Sequence, residues 1–291
     1  MFQGLIYAVI SAACFGSMAI LVKLGYAAGM DGAVMMQMRF SVAAILLLVY
    51  LLIKNSRLLR ISMPELAKCA FLGLVVYWTQ TTCFVNALAT IPASTTALVL
   101  YGHPVAVTLL ASMFLSMRIN RTVVLSLVLV MAGCCLVFYD AFLREVDATG
   151  LAYALGSMAT FSVYLVLVQV LLKGLKPLTA TFYVLAFAAV SFTLSGDIRA
   201  WGTTDLEQVG ISLALGIFPG LVAITFLFAA IEKVGSAYAC IFSSVEPVVT
   251  LLAAAAFLGE SVVWLQIWGA ALIILGIVVP NLRFGHRPAT N

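Results

Sequence analysis

Apolar residues run in long blocks along this chain, separated by short polar or charged stretches. A membrane-crossing helix needs about 20 predominantly apolar residues. Ten blocks approach that length: Leu5–Val22, Val34–Ile53, Leu66–Leu88, Ala93–Leu115, Val123–Tyr139, Leu151–Leu172, Leu178–Leu194, Val209–Ile231, Ala237–Leu258 and Val263–Pro280. The first block has no Lys or Arg before it, and its apolar run is too long for a secretory signal, so it reads as a helix. The pattern predicts an all-α integral membrane protein with ten transmembrane helices.

Composition agrees with the pattern. Hydrophobic residues make up 64% of the 291 and charged residues 9%. A soluble domain carries roughly a quarter charged residues, so a water-soluble fold of this make-up would lack a polar surface. The six cysteines form no CxxC pair and no metal-ligand spacing, and they read as small buried helix residues. No cofactor, metal or nucleic acid is expected. The expected partners are a small-molecule substrate and membrane lipid.

The placement of charge orients the helices. With the N-terminus in the cytoplasm, the inner loops receive Lys54, Arg57, Arg60, Lys68, Arg118, Arg121, Lys173, Lys176, Lys233, Arg283 and Arg287. The outer side receives Lys23, Arg144 and Arg199, together with Asp31, Asp140, Glu145, Asp147, Asp197, Asp205, Glu207 and Glu260. Basic residues favour the cytoplasmic side, so both termini are expected there.

The chain also repeats itself. Ser94 to Pro104 reads STTALVLYGHP and Ala237 to Pro247 reads AYACIFSSVEP, their prolines 143 positions apart (247 − 104). GLIYAVISAACF (Gly4 to Phe15) resembles GLAYALGSMATF (Gly150 to Phe161). Residues 1–140 and 149–280 are thus expected to be two repeats of five helices, with 281–291 a cytoplasmic tail. Five is an odd number, so the second copy must enter the membrane from the opposite side. The loops say the same: Lys54, Arg57 and Arg60 follow the second helix, while Asp197, Asp205 and Glu207 follow the seventh. Inverted repeats of this kind are a common plan of secondary transporters, with the site near the midplane between the repeats.

On these residues the chain resembles the drug/metabolite transporter superfamily, EamA type, over nearly its whole length. The most specific stretch is SSVEPVVTLLAAAAFLGES (Ser243 to Ser261), with Glu-Pro, an apolar run and Leu-Gly-Glu. Arg39-Phe40 also fits the family pattern. His103-Pro104 departs from it, as does Leu115-Ser116-Met117, which stands in the place of Leu-Gly-Glu. The resemblance implies a bacterial inner-membrane exporter or facilitator, with five-plus-five helices around a central cavity and no use of ATP. It implies amino acids, other metabolites or toxic compounds as substrates. A multidrug exporter is the nearest alternative and a channel-like facilitator the alternative of another class. An enzyme is disfavoured: HExxH is absent, and no aspartate lies within a predicted span.

Glu246 leads the candidate site. It falls near the bilayer centre, where an ionised carboxylate costs at least ~2.5 kcal/mol. It could carry a proton, anchor a substrate ammonium group, or serve only as a structural carboxylate. His103 is its counterpart in the first copy and suits a proton relay or a substrate hydrogen bond. Pro104 and Pro247 each remove a backbone hydrogen bond, and with Pro219 they are expected to mark hinges. Arg39 lies six residues into the second helix, about 8 Å deep at helical rise. It either snorkels to the outer surface or meets an acid or a substrate carboxylate at the outer mouth. Tyr77, Trp78 and Thr81 belong to a polar and aromatic run that suits a cavity wall. Thr96, Tyr101, Phe161, Tyr164 and Ser243 could join it. The fifth and tenth helices are bland and carry Gly133, Gly269 and Gly276. They read as supporting walls or the contact of a homodimer.

Overall fold

In a computed structural model the chain is described over residues 2–143, 145–196, 201, 204–258 and 262–284. The charges expected at Arg144, Asp197, Arg199, Glu260 and Arg287 lie outside these residues, as does the end of the tail. The described residues are overwhelmingly helical and include no strand. In chain order the helices are α1 (Phe2–Phe15), α2 (Met18–Ala27), α3 (Gly32–Asn55), α4 (Met63–Phe71), α5 (Trp78–Thr90), α6 (Ala93–Leu100), α7 (His103–Leu115) and α8 (Arg121–Val137). The second half follows with α9 (Ala148–Leu171), α10 (Pro177–Ser195), α11 (Leu206–Leu215), α12 (Ala223–Val234), α13 (Ser236–Ser243), α14 (Glu246–Leu258) and α15 (Trp264–Phe284).

Several of these run end to end. A π-helical segment, Leu72–Tyr77, joins α4 to α5, and another, Gly216–Val222, joins α11 to α12. Seven of the resulting rods are long and apolar enough to cross a membrane: Phe2–Ala27, Gly32–Leu59, Met63–Thr90, Ala93–Leu115, Ala148–Leu171, Pro177–Ser195 and Leu206–Val234. Arg121–Val137, Ser236–Leu252 and Trp264–Pro280 are shorter apolar helices. The ten expected blocks fall on these seven spans and three shorter rods.

Local chemistry starts the helices where the loops end. The Asp31 carboxylate accepts from the Ala33 N–H at 2.8 Å, and Asp147 from the Gly150 N–H at 2.8 Å. Ser62 with Glu65 closes a capping box at the head of α4, and Asp205 with Gln208 closes another at the head of α11. Each box satisfies two otherwise orphaned N–H groups. Their cap positions are 143 apart (205 − 62), the same spacing as the sequence repeat.

The packing of the two halves is reciprocal. α1 lies on α12 and α13, while α9 lies on α5 and α7. α3 packs on α10, and α8 on α15. Within each half, the end of the first rod is tied to the turn between the third and fourth. Lys23 Nζ donates to the Leu88 carbonyl, and to Ile91 O at 3.2 Å. In the second half Gln169 Oε1 accepts from the Ser236 N–H at 2.6 Å and from its hydroxyl at 2.7 Å. Large apolar side chains such as Ile53, Phe114, Leu194 and Trp264 remain on the outside. Lipid tails, not water, make that surface tolerable.

The glycines of α8 and α15 are turned on each other. A Cβ on Gly133 would meet Gly269 O at 2.6 Å and Ile273 N at 2.9 Å. A Cβ on Gly269 would meet Gly133 O at 2.7 Å and Val137 N at 2.8 Å. The Ser126 hydroxyl donates to the Gly276 carbonyl across the same seam. The face offered by the sequence as a wall or dimer contact is therefore occupied inside the chain. The nearest obstructing atom on each side is a backbone oxygen, which cannot step aside as a side chain can. Gly133→Ala is expected to destabilise by about 1–3 kcal/mol through overpacking, read as a lowered thermal midpoint in detergent. An unchanged midpoint would show that the seam is loose.

Candidate functional site: a cavity between matched helix breaks

The rods that carry His103 and Glu246 are both interrupted immediately before those residues. α6 ends at Leu100, Tyr101 and Gly102 form a turn, and α7 begins at His103. α13 ends at Ser243, Ser244 and Val245 form a turn, and α14 begins at Glu246. In both, eight helical residues precede the two-residue turn and thirteen follow it. Pro104 and Pro247 occupy the second position of the new helices. In the first turn a missing N–H leaves no intrahelical bond unmade, and the fixed φ suits a helix start. The prolines thus start helices after a break and do not kink a continuous one, contrary to the simplest sequence expectation.

A third interruption meets these two. α1 stops at Phe15 and α2 resumes at Met18. Gly16 in that gap lies against the first turn of α14, where a Cβ would stand 2.9 Å from Thr250 Oγ1. That hydroxyl donates to Gly16 O at 3.3 Å and to Glu246 O at 3.1 Å. Sequence reasoning missed this break. Gly16-Ser17 was the available signal, because Gly/Ser pairs are common sites of helix kinks.

Between the breaks lies a cavity of about 580 Å³. It is lined by the predicted residues Tyr77, Tyr101, His103, Phe161, Ser243, Glu246 and Pro247. Glu246 is half-buried and open to this space. Tyr101 lines the same space beside the carboxyl. The N-terminus of α14 also favours negative charge there. His103 is buried, with its ring edge-on to Phe161 at 5.2 Å between centroids. Its Nδ1 lies 2.9 Å from Leu100 O. A carbonyl only accepts, so Nδ1 is the protonated nitrogen, and Nε2 of the neutral ring is left as an acceptor. Ser243 Oγ is buried without a hydrogen-bond partner.

The other predicted residues lie behind or away from the lining. Tyr164 stacks on the back of Tyr77, ring centroids 4.8 Å apart. Thr81 donates to Gln80 Oε1 at 3.2 Å, and it is Gln80 that lines the cavity and reaches Ser157 Oγ at 3.1 Å. Thr96 is consumed by Pro92 O at 3.1 Å. Trp78 points away, its Nε1–H donating to Ser195 Oγ at 3.3 Å. Pro104 is buried outside the lining, and Pro219 sits in the π segment before α12. Phe15, Phe84, Phe138 and Asp140 line the cavity without having been anticipated. One aromatic among 18 Phe and 10 Tyr carries no mark of which way it faces.

Arg39 neither snorkels nor reaches an outer mouth. It is fully buried, with 0% exposure. One terminal nitrogen donates to Pro219 O at 2.9 Å and to the Tyr77 hydroxyl at 3.3 Å. The guanidinium carbon stands 4.8 Å from the Phe40 ring centroid. A π segment with an internal proline disturbs the helical ladder, and the carbonyl of Pro219 takes the Arg39 donor. Arg39 therefore braces the junction behind Tyr77.

The description "EamA-like transporter family" fits residues 2–139 and 148–282. The chain belongs to that family. It is a multi-pass membrane transporter of the EamA/drug-metabolite superfamily and not an enzyme. An uncharacterized transporter of Archaeoglobus fulgidus is 25% identical over 245 residues, 83% of this chain and 86% of the relative. The uncharacterized transporter YwfM of Bacillus subtilis is 31% identical over 156 residues, 52% of each chain. A solved crystal structure superimposes on this transporter with a TM-score of 0.79, covering 99% of this chain and 100% of its own, at 17% identity. At that identity the likeness speaks for the fold alone.

Proposed function

We propose that this transporter is a secondary carrier that moves a small organic metabolite, amino acid-like or aromatic, out across the bacterial inner membrane. It does so by alternating access, through ten spans arranged as two inverted five-helix repeats, with both termini cytoplasmic. The observation that carries this reading is the pair of helix breaks that set His103 and Glu246, 143 positions apart (246 − 103), at one cavity. The reciprocal packing of the halves, the two capping boxes and the two π segments repeat the same spacing or nearly so. A carrier of this plan binds its solute where discontinuous helices meet between repeats, and opens by rocking one repeat against the other. The turns before His103 and Glu246, with the π segment at Pro219, are the hinges in this reading. His103 and Glu246 are the titratable pair that would couple a proton. For a homodimer through α8 and α15, the outer faces bearing Val128, Trp268 and Leu275 are exposed and available to a partner.

The test is counterflow in proteoliposomes with a panel of amino acids, sugars and aromatic compounds. Saturable exchange of a labelled solute against its unlabelled form is expected, with no unitary currents in planar bilayers. Unitary currents without counterflow would replace the carrier with a channel-like facilitator. Exchange of many unrelated toxic compounds would favour a multidrug exporter.

A further inference from the structure

We propose that the solute carries a positive charge, as an organic ammonium or a related alkylated cation, held between the Glu246 carboxylate and aromatic walls. This deepens the carrier reading and rests on it.

The cavity's charge is the first ground. Among the described residues that line it, the formally charged side chains are Glu246 and Asp140, and no Lys or Arg is present. Asp140 accepts from the Ser94 hydroxyl at 3.0 Å, and the proposal rests on Glu246 alone. The polar side chain beside that carboxyl in the lining is a phenol, Tyr101. A carboxylate at membrane depth is costly unless it is paired, hydrated or neutralised. A solute cation supplies the missing charge at the moment it binds. Arg39, the buried basic residue nearby in the fold, is sealed behind Tyr77 and held by Pro219 O at 2.9 Å.

Aromatic surface is the second ground. Tyr101 stacks on Phe138 with centroids 5.7 Å apart, and Phe161 meets His103 at 5.2 Å. Phe15 and Phe84 complete the wall. Ring faces attract alkylated ammonium groups, most strongly when desolvated.

The same inventory separates solute classes. A free amino acid would bring a carboxylate into a cavity whose described lining has no Lys or Arg to receive it. An amine or alkylated cation without an acid group makes no such demand. The volume of about 580 Å³ suits one drug-sized molecule.

Calorimetry on the purified full chain in detergent tests this with three monophenyl probes: phenyltrimethylammonium, its neutral isostere tert-butylbenzene, and the slightly smaller anion benzoate. The cation is expected to bind about tenfold or more tighter than either other probe. Glu246→Gln should remove that preference and leave tert-butylbenzene unchanged, which also shows that the variant is folded. Phe138→Leu should weaken the cation more than the neutral probe, and it serves if Glu246→Gln does not fold. Equal affinity for the three probes, tighter benzoate, or Glu246→Gln that still prefers the cation would each overturn the proposal. Counterflow confined to neutral or acidic solutes would also remove it while leaving the carrier intact. Absence of counterflow with every solute would remove the carrier reading itself.

Discussion

Glu246→Gln is expected to abolish the pH dependence of transport in proteoliposomes and to slow transport by about tenfold or more, ~1.4 kcal/mol per decade. The substitution keeps the size of the side chain and an oxygen able to accept a hydrogen bond. It removes only the proton and the charge. With Glu246 present, raising the pH ionises the carboxyl and strengthens its hold on a cationic solute. Lowering the pH protonates it, so solute and proton compete for one group. Tyr101, His103 and Cys134 share its surroundings, so His103→Gln is the necessary companion. If the pH response survives Glu246→Gln and disappears in His103→Gln, the imidazole carries the proton. A response unchanged in both variants would end the proton-coupled reading and leave a downhill carrier.

Arg39→Ala is expected to be the more damaging change to the fold. It withdraws the donor from Pro219 O and from the Tyr77 hydroxyl, and it empties space next to Phe40. Buried acceptors left without partners cost about 1–3 kcal/mol each, and large-to-small changes add a cavity cost. A total loss of about 3–5 kcal/mol lies at the severe end for one substitution. The readouts are the yield of monodisperse protein and its thermal midpoint in detergent. Arg39→Lys should recover only part of the loss, because a single ammonium does not reproduce the planar fork. Stability unchanged in Arg39→Ala would mean that the residue is dispensable, as a snorkelling arginine would be.

Much of the architecture was legible along the chain because it follows from local rules. Apolar block length marks the rods, whatever they pack against. Asp31, Ser62, Asp147 and Asp205 stand at helix starts where their side chains satisfy N–H groups a few residues on. The spacing of 143 joined His103-Pro104 to Glu246-Pro247 before any contact was known. Direction was harder to read. Trp78, Thr81 and Thr96 are polar residues on helices, and such a group is equally served by a cavity or by a neighbouring carbonyl or hydroxyl. In each case the neighbour took it.

The sequence by itself determined the membrane setting, the family, the helical blocks and the matched ionisable pair. Hydropathy and repeat spacing are properties of the chain that survive any arrangement of its helices. Only the tertiary structure decided that helices stop at Leu100 and Ser243, that Gly16 opens a third gap, and that Arg39 lies at the core. Those outcomes depend on neighbours distant in sequence. Thr250 settles against Gly16, and Pro219 turns its carbonyl to Arg39. A buried polar group takes the place where its hydrogen bonds are met, and that place is fixed only when the other helices have packed around it.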